Sequence, residues 1–249
     1  GQMIGAQADG SIKAFLLLNL EPALDSADGA AAAAALKAAE MVVSLSPFKP
    51  AADDPADVVL PIAPFTETSG TYVNAEGRVQ SFHGVVKPLG ETRPAWKVLR
   101  VLGNLLELTG FDFETSEDVR AQALGDLSML QTSLSNAPAP AFDVGSAAAG
   151  LERIADVPIY CTDAVVRRAR TLQQTADAQA PVAGLPKALW AELGLAVGDL
   201  VRVSQGVAHA VLPARLDASL APTAVRVAGG HASTASLGAL FGPITVEKV

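Results

Sequence analysis

Two short apolar runs separated by an alanine-rich stretch constrain the fold of this chain more than any other feature. The runs are F-L-L-L-N-L at residues 15–20 and M-V-V-S-L at 41–45, and alanine occupies most positions of 30–39 between them. Nearly continuous apolar strands are typical of a parallel sheet, and alanine is the strongest helix former. The spacing predicts a right-handed strand–helix–strand crossover, to which residues 57–61 add a third short strand.

A β-hairpin is predicted next. Residues 71–73 and 78–82 have strand character, and they flank a turn at 74–77. Gly77 supplies the left-handed backbone conformation that such a turn needs.

Two helices are expected after the hairpin. Pro94 suits the first turn of a helix whose apolar residues recur every three or four positions, and Gly110 lies just past its end. Thr115, with Asp118 three residues on, has the pattern of a capping box that begins another helix.

The composition from residue 131 to 150 indicates a break between two domains. Alanine, proline, serine and glycine dominate there, and they cannot bury enough apolar surface to form an element. Beyond the break, one short helix at 186–193 is followed by turn-separated β pattern at 200–204, 207–216 and 223–227. A small β-barrel is the natural closure, because a barrel leaves no exposed sheet edge. We therefore expect an α/β domain at 1–130, a linker at 131–156 and a barrel at 157–249.

Composition excludes several classes of function. The formal net charge is −8, whereas a protein that binds the nucleic-acid backbone needs a cationic surface, so no nucleic-acid partner is expected. The one cysteine, Cys161, cannot supply the thiolates of an iron–sulfur cluster, and it gives no sign of an oxidising compartment, so a cytoplasmic setting is the default. The longest uninterrupted apolar stretch is far short of a bilayer span, so any membrane association is indirect. Gly1 precedes the first methionine, and we expect a piece of a longer, N-terminally truncated protein.

The hairpin turn holds the strongest candidate binding residues. Asn74, Glu76, Gly77 and Arg78 could line a vestigial cofactor cleft, because arginine suits phosphate and glycine permits close backbone approach. The alternative is a plain turn whose charges pair locally. We favour the plain turn, because turn chemistry alone explains the order of the residues.

Other residues support weaker hypotheses of binding, metal coordination or docking. The loop at 229–234 (G-G-H-A-S-T) offers backbone donors but lacks any phosphate-binding motif, so it is interpreted as a barrel loop. The three histidines are scattered, and no metal ligands are assigned. Cys161 is interpreted as a small packing residue. Arg167 and Arg168 form the densest cationic spot, which could be a docking patch for a partner or a solvated face.

Two ordered motifs carry a family resemblance. The run A-D-V-V-L-P at 56–61 is followed by T-E-T-S-G-T-Y-V-N-A-E-G-R-V-Q at 66–80 and by E-T-R-P-A-W at 91–96. Together they resemble the late part of the molybdopterin oxidoreductase family. The phrase L-G-L-A-V-G-D-L-V-R-V at 193–203 is similar to the carboxy-terminal dinucleotide-binding barrel of that family. The resemblance implies a partial doubly wound parallel-sheet domain. It also implies that this domain is followed by a β-barrel of the double-psi type, as in the formate dehydrogenase/aspartate decarboxylase-like fold.

Within that family, three segments are similar to the large peripheral subunit of complex I, the bacterial NADH:quinone oxidoreductase. They lie at 44–49, 64–70 and 160–169. This resemblance implies a scaffold without molybdenum or any other cofactor, with iron–sulfur clusters in an amino-terminal part that lies outside this sequence. It also implies the other subunits of the peripheral arm as partners, at the inner face of the plasma membrane.

Two other functions stay open from the sequence. The chain could be the molybdopterin-binding half of an active molybdenum or tungsten oxidoreductase such as a formate dehydrogenase. It could also be an independent small-molecule-binding module. No catalytic residue is assigned under any of the three hypotheses.

Overall fold

A parallel sheet and a closed barrel form the two parts of the molecule. In the computed structural model, the described residues are 10–50, 54–133 and 149–249, without the side chains of 131–133. The sheet is parallel throughout, and its strands lie in the order β1 (Ala14–Leu18), β2 (Met41–Ser46) and β3 (Val58–Pro61). All three predicted strands are present, with ends that differ by one or two residues from the apolar runs.

The crossover between β1 and β2 contains two helices, α1 (Pro22–Asp25) and α2 (Gly29–Ala38). Asp28 begins α2 by accepting a hydrogen bond from the backbone N–H of Ala31 at 2.9 Å. Asparagine, aspartate and serine are preferred at this position because they satisfy an otherwise unpaired helix donor. Ala32, Ala35 and Leu36 are buried, so α2 covers one face of the sheet, as the alanine-rich stretch predicts.

The hairpin consists of β4 (Gly70–Val73) and β5 (Val79–Phe82), which pair antiparallel. The rings of Tyr72 and Phe82 stack with their centroids 5.2 Å apart. Gly77 has a φ of 75°, so the turn needs the left-handed conformation predicted for it.

Three helices follow the hairpin: α3 (Ala95–Leu105), α4 (Ser116–Leu124) and α5 (Leu127–Ser133). The capping box of α4 is confirmed, because Thr115 and Asp118 exchange side-chain and backbone hydrogen bonds. The sequence analysis does not predict α5, which lies at the start of the alanine- and serine-rich region. No helix among the described residues is long and apolar enough to cross a membrane.

The barrel has six strands among the described residues, and they close in the order β10-β6-β11-β8-β9-β7. Their bounds are β6 (Leu151–Ile154), β7 (Ala183–Leu185), β8 (Leu200–Gln205), β9 (Ala208–Leu216), β10 (Ala224–Arg226) and β11 (Gly242–Lys248). The barrel divides into two halves of three strands, in which β10 corresponds to β7, β6 to β9 and β11 to β8. Exchanging the corresponding strands leaves every neighbour relation in the barrel unchanged. The parallel pair β10–β6 in one half corresponds to the parallel pair β7–β9 in the other. The barrel therefore has an internal pseudo-twofold arrangement.

The barrel core is apolar, with one charged exception. Strands β8 and β9 alternate buried and exposed positions, and their inward side chains include Val201, Val203 and Leu212. Two short helices flank the core, α6 (Ala164–Arg168) and α7 (Lys187–Glu192). Arg153 on β6 is 1% exposed, and it is the one charged residue among the buried described side chains.

The predicted start of the barrel is corrected. Residues 151–154, placed in the linker at 131–156, form β6 and pair with both β10 and β11. The sequence L-E-R-I lacks the usual strand pattern, because its inward position holds an arginine rather than an aliphatic residue. Strands β7 and β11 are also absent from the predicted set. The linker region at 134–148 lies outside the described residues.

Candidate functional site

A crevice opens at the carboxyl ends of the parallel strands, where open α/β sheets usually bind their ligands. Strand β1 leads into Leu20 and Glu21, and β2 leads into Phe48 and Lys49. The cavity has a volume of about 310 Å³. Its lining includes side chains from the sheet, from α1 and α2, and from one residue of the barrel region: Leu20, Glu21, Leu24, Leu36, Ser44, Ser46, Phe48, Lys49 and Arg168.

Glu21 is the centre of an ion-pair cluster that crosses from the sheet to α6. Its Oε2 accepts from Nε of Arg167 at 2.9 Å and lies 2.7 Å from Nη2 of the same residue. Its Oε1 accepts a short hydrogen bond from Nη2 of Arg168. Asp25 adds a second carboxylate, with Oδ1 2.9 Å from Nη1 of Arg167. We name this group of four residues the interdomain latch.

The short helix α6 positions the two arginines of the latch. Asp163 begins α6 by accepting hydrogen bonds from the N–H groups of Val165 and Val166 at 2.8 and 2.9 Å. The helix is little more than one turn long, so Arg167 and Arg168 fall in its last turn. Cations are favoured there because the carbonyl end of a helix carries partial negative charge.

The latch also reaches an aromatic ring of the crevice. The guanidinium of Arg168 lies over the ring of Phe48, 4.4 Å from its centroid, which is within the range of a cation–π contact. The Nη1 of Arg167 donates to the carbonyl of Cys161 at 2.8 Å. The side chain of Arg167 is 11% exposed and its charge is paired within the chain. Of the two alternatives for the cationic spot, a solvated face therefore does not describe this residue.

The latch changes the pKa of Glu21 and influences that of the neighbouring Cys161 thiol. Burial would raise the pKa of Glu21, but the hydrogen bonds and charges of Arg168 and Arg167 outweigh it and lower that pKa. Burial raises the pKa of the Cys161 thiol, and the nearby charge of Arg167 offsets only part of this shift. The thiol is therefore a poor nucleophile, in agreement with a packing role.

The candidate residues Asn74, Glu76, Gly77 and Arg78 come together at the exposed hairpin turn. The Oδ1 of Asn74 accepts from the backbone N–H of Glu76 at 3.1 Å and of Arg78 at 2.8 Å. The N–H of Gly77 donates to the carbonyl of Asn74 at 2.9 Å. These hydrogen bonds stabilise the turn itself, so a cofactor role for the four residues stays a prediction.

Arg153 fixes the barrel loop at 228–239 through hydrogen bonds of its side chain. Its Nε and Nη2 donate to the carbonyls of Val227 and Ala228, and its Nη1 donates to those of Gly238 and Ala239 and to Oε1 of Gln205, at 3.2–3.3 Å. Both ends of the loop are thereby fixed to one side chain. The sequence analysis missed this residue.

The loop also contains a local histidine–serine contact. His231 Nδ1 lies 2.9 Å from the hydroxyl of Ser233 and accepts from the backbone N–H of the same residue. Burial lowers the pKa of His231. Because both contacts are made two residues along the chain, they fix the loop backbone. In the part of the chain that the structure describes, no three His, Cys, Asp or Glu residues are grouped as a metal site.

A comparison with protein families matches the first part of the chain. Residues 2–105 match the family described as "Molybdopterin oxidoreductase", which is the family that the motifs resemble. The resemblance seen in the motifs is confirmed.

Relatives of several kinds match stretches of the chain. Over 93 residues the chain is 42% identical to the G subunit of the NADH-quinone oxidoreductase of Streptomyces coelicolor, covering 37% of this chain and 11% of that protein. Over 58 residues it is 47% identical to a putative formate dehydrogenase of Staphylococcus aureus, covering 23% of this chain and 6% of that protein. Over 105 residues it is 34% identical to the alpha subunit of the NADPH-Fe(3+) oxidoreductase of Geobacter sulfurreducens, covering 42% and 12%. The matched regions are thus small parts of much longer relatives.

A solved structure shares the fold of nearly the whole chain. Acetylene hydratase from Pelobacter acetylenicus superposes with a TM-score of 0.68 at 17% sequence identity, over 99% of this chain and 46% of that one. This likeness and the observed sheet and barrel confirm the predicted fold class. At 17% sequence identity, this likeness is evidence for a shared fold alone.

Proposed function

We propose that this chain is a scaffold part of the peripheral arm of an NADH:quinone oxidoreductase, the complex that passes electrons from NADH to quinone. In this proposal the chain holds no redox centre, and the iron–sulfur clusters lie elsewhere in a longer protein. Its partners are the other subunits of the arm, at the cytoplasmic face of the membrane. The similarity over 93 residues to a subunit of the Streptomyces NADH-quinone oxidoreductase supports this assignment.

The observation that carries the proposal is the pairing of the charged side chains that line the crevice. A molybdopterin dinucleotide needs an open space with free polar groups at the carboxyl ends of the strands. Here both oxygens of Glu21 are bound by arginines, and the guanidinium of Arg168 lies on the ring of Phe48. This pairing engages the charged groups of Glu21 and Arg168 within the chain, which supports a crevice that does not hold the cofactor.

A second candidate function is the molybdopterin-binding half of an active formate dehydrogenase. The 47% identity to a putative formate dehydrogenase favours it over that short region. The two candidates differ in metal content. We expect the purified protein from the complete coding sequence to contain no molybdenum or tungsten. One metal per chain together with extractable pterin would overturn the scaffold proposal and favour the second candidate.

A scaffold role also predicts how activity is lost. Arg167→Glu places a third acidic group beside Glu21 and Asp25, so like charges repel at the latch. We expect less assembled complex in the membrane fraction, while NADH:quinone turnover per assembled complex stays at the parental value. The control is Lys13→Glu, which makes the same change at the exposed pair with Glu40. A fall in turnover per assembled complex would contradict a purely structural role.

A further inference from the structure

Two arginines flank a glycine on the outer wall of the barrel. Strand β7 lies between β10 and β9, and Gly184 on β7 pairs with Arg226 on one side and with Arg215 on the other. Side chains of paired residues point to the same face of a sheet, and neighbouring strands lie about 4.8 Å apart, so the two arginine backbones are about 10 Å apart. Both arginines are exposed. Glycine contributes no side chain to the space between them.

The two arginines line one cavity of about 420 Å³. Its walls also include residues that follow β6 and residues that precede β7, among them the apolar side chains of Pro158, Ile159 and Val182. A cavity of this size can hold a small organic molecule. It shares no lining residue with the crevice at the carboxyl ends of the parallel strands, so the two cavities are separate.

The guanidinium of Arg226 is oriented, but its terminal donors are free. Its Nε donates to Oδ1 of Asp156 at 3.2 Å. Among the residues that the structure describes, the two Nη groups of Arg226 make no hydrogen bond, and the side chain of Arg215 makes no hydrogen bond or ion pair. The fork of an arginine binds oxyanions through two parallel hydrogen bonds. Asp156 therefore orients one fork without occupying its terminal groups.

The other carboxylates near the pair leave both forks available. Asp217 accepts from the hydroxyl and the backbone N–H of Ser219 at 2.6 and 3.1 Å. The pKa of Asp217 is lowered, chiefly by these hydrogen bonds and also by the charges of Arg226 and Arg215, so the two arginines act on one carboxylate. Asp177 lines the cavity without an ion pair to either arginine. The positive charge of Arg215 is thus left for a ligand.

We propose that this cavity binds the phosphate group of a small organic phosphate monoester between Arg215 and Arg226. A phosphate monoester has three terminal acceptor oxygens, so it can accept from two forks that approach from opposite sides, whereas one fork satisfies a planar carboxylate. The apolar walls would contact the organic part of the ligand. This inference goes beyond the proposed function, because a purely structural subunit needs no such site.

Isothermal titration calorimetry of the protein made from the complete coding sequence tests the proposal. The probes are inorganic phosphate and phenyl phosphate, at constant ionic strength in chloride. We expect inorganic phosphate to bind, and phenyl phosphate to bind about tenfold more tightly, because its ring contacts the apolar walls. Arg215→Gln and Arg226→Gln should each weaken phosphate binding by about tenfold or more, since each removes a charged fork of donors.

Two further variants separate a built site from general attraction of anions. Arg202→Gln removes the same charge from an exposed residue of the same barrel, 3.9 Å from Glu247, and should leave the affinity within about twofold of the parent. Arg215→Lys keeps the charge but not the fork, so it should recover only part of the lost affinity. All of these side chains are exposed, and equal melting temperatures in chloride would confirm that the variants fold.

Four outcomes would overturn the proposal. The first is no binding of inorganic phosphate to the parent at millimolar concentrations. The second is unchanged affinity in both glutamine variants, which would place the bound phosphate elsewhere. Acetate that binds as tightly as phosphate would contradict a phosphate site, and equal affinities for the two phosphates would contradict an organic ligand. The proposed function fails on a different measurement, since bound molybdenum would not alter these differences between variants.

Discussion

Arg153 shows how a single residue organises the barrel. Its guanidinium is almost fully buried, and its partners are four backbone carbonyls and one amide oxygen rather than a carboxylate. Burial accordingly lowers its pKa. A buried charge without a counter-charge is costly, so the hydrogen bonds that fix both ends of the 228–239 loop must offset that cost.

Replacing Arg153 with methionine removes these donors while keeping an apolar chain of similar length. We expect the free energy of unfolding to fall by about 3 kcal/mol, because buried carbonyls lose charge-assisted hydrogen bonds. Urea unfolding followed by circular dichroism measures this change. Arg226→Met is the matched control in the same barrel, since the salt bridge between Arg226 and Asp156 is exposed and its loss should cost less than about 1 kcal/mol. Equal losses in the two variants would contradict an organising role for Arg153.

The sequence could not single out Arg153. It lies within L-E-R-I, which resembles a polar linker because two of four residues are charged. A sequence pattern reports the alternation of apolar residues, whereas the inward position here holds a charged side chain. Only the paired strands β10 and β11 reveal that this arginine faces the core.

At the scale of elements, the contact between α1 and α2 depends on one glycine. A Cβ atom built on Gly29 would lie 2.1 Å from the carbonyl oxygen of Ala23, which belongs to the backbone of α1. No side-chain movement relieves that contact. Gly29 therefore permits the close approach of the two crossover helices.

Gly29→Ala is expected to destabilise the protein, although alanine is favoured over glycine by about 1 kcal/mol in an ordinary helix. The clash with Ala23 forces α1 away from α2, and we expect a net loss of about 2 kcal/mol. Thermal unfolding measures it. The comparison is Ala34→Gly on the exposed side of the same helix, which should cost about 1 kcal/mol through helix propensity alone. A stabilised Gly29→Ala variant would mean that the helices are not in close contact.

The interdomain latch is the second prediction at this scale. Glu21→Gln and Arg167→Gln each leave a partly buried partner uncompensated, so the two changes together should cost less than their sum. We expect a coupling of about 1–2 kcal/mol from the four unfolding free energies of the cycle. The exposed pair Lys13–Glu40 provides the matched cycle, with an expected coupling below about 1 kcal/mol. Strict additivity at the latch would show that its residues do not stabilise the fold together.

The elements were more predictable than the contacts between them. The parallel strands, α2, α3 and the capping box of α4 follow from apolar runs, alanine content and local cap chemistry, all of which are properties of neighbouring residues. The latch joins Glu21 to Arg167 across 146 positions, and nothing local to either residue indicates its partner. The candidate turn at Asn74–Arg78 was identified from local motifs, whereas the crevice depends on strand ends brought together by the fold.

At the scale of the whole molecule, the sheet and the barrel are joined by more than the chain between them. The latch links α1 to α6, and the N–H of Leu240 in the barrel region donates to the carbonyl of Ala27 at 3.1 Å. Both contacts use residues 21–27, close to the carboxyl end of β1. Stability of the joined state should therefore depend on the charge of Glu21.

Acid is expected to weaken this junction. The folded pKa of Glu21 lies below its ordinary value, so its contribution to stability is complete above the unfolded pKa of about 4.3 and is lost as the pH falls through the folded pKa. Unfolding free energies measured from about pH 6 to about pH 3 should therefore decline less steeply for Glu21→Gln than for the parent. Ser26→Ala, a neutral change at the end of α1, keeps the parental slope. If Glu21→Gln also keeps it, the carboxylate is not held by the latch in solution.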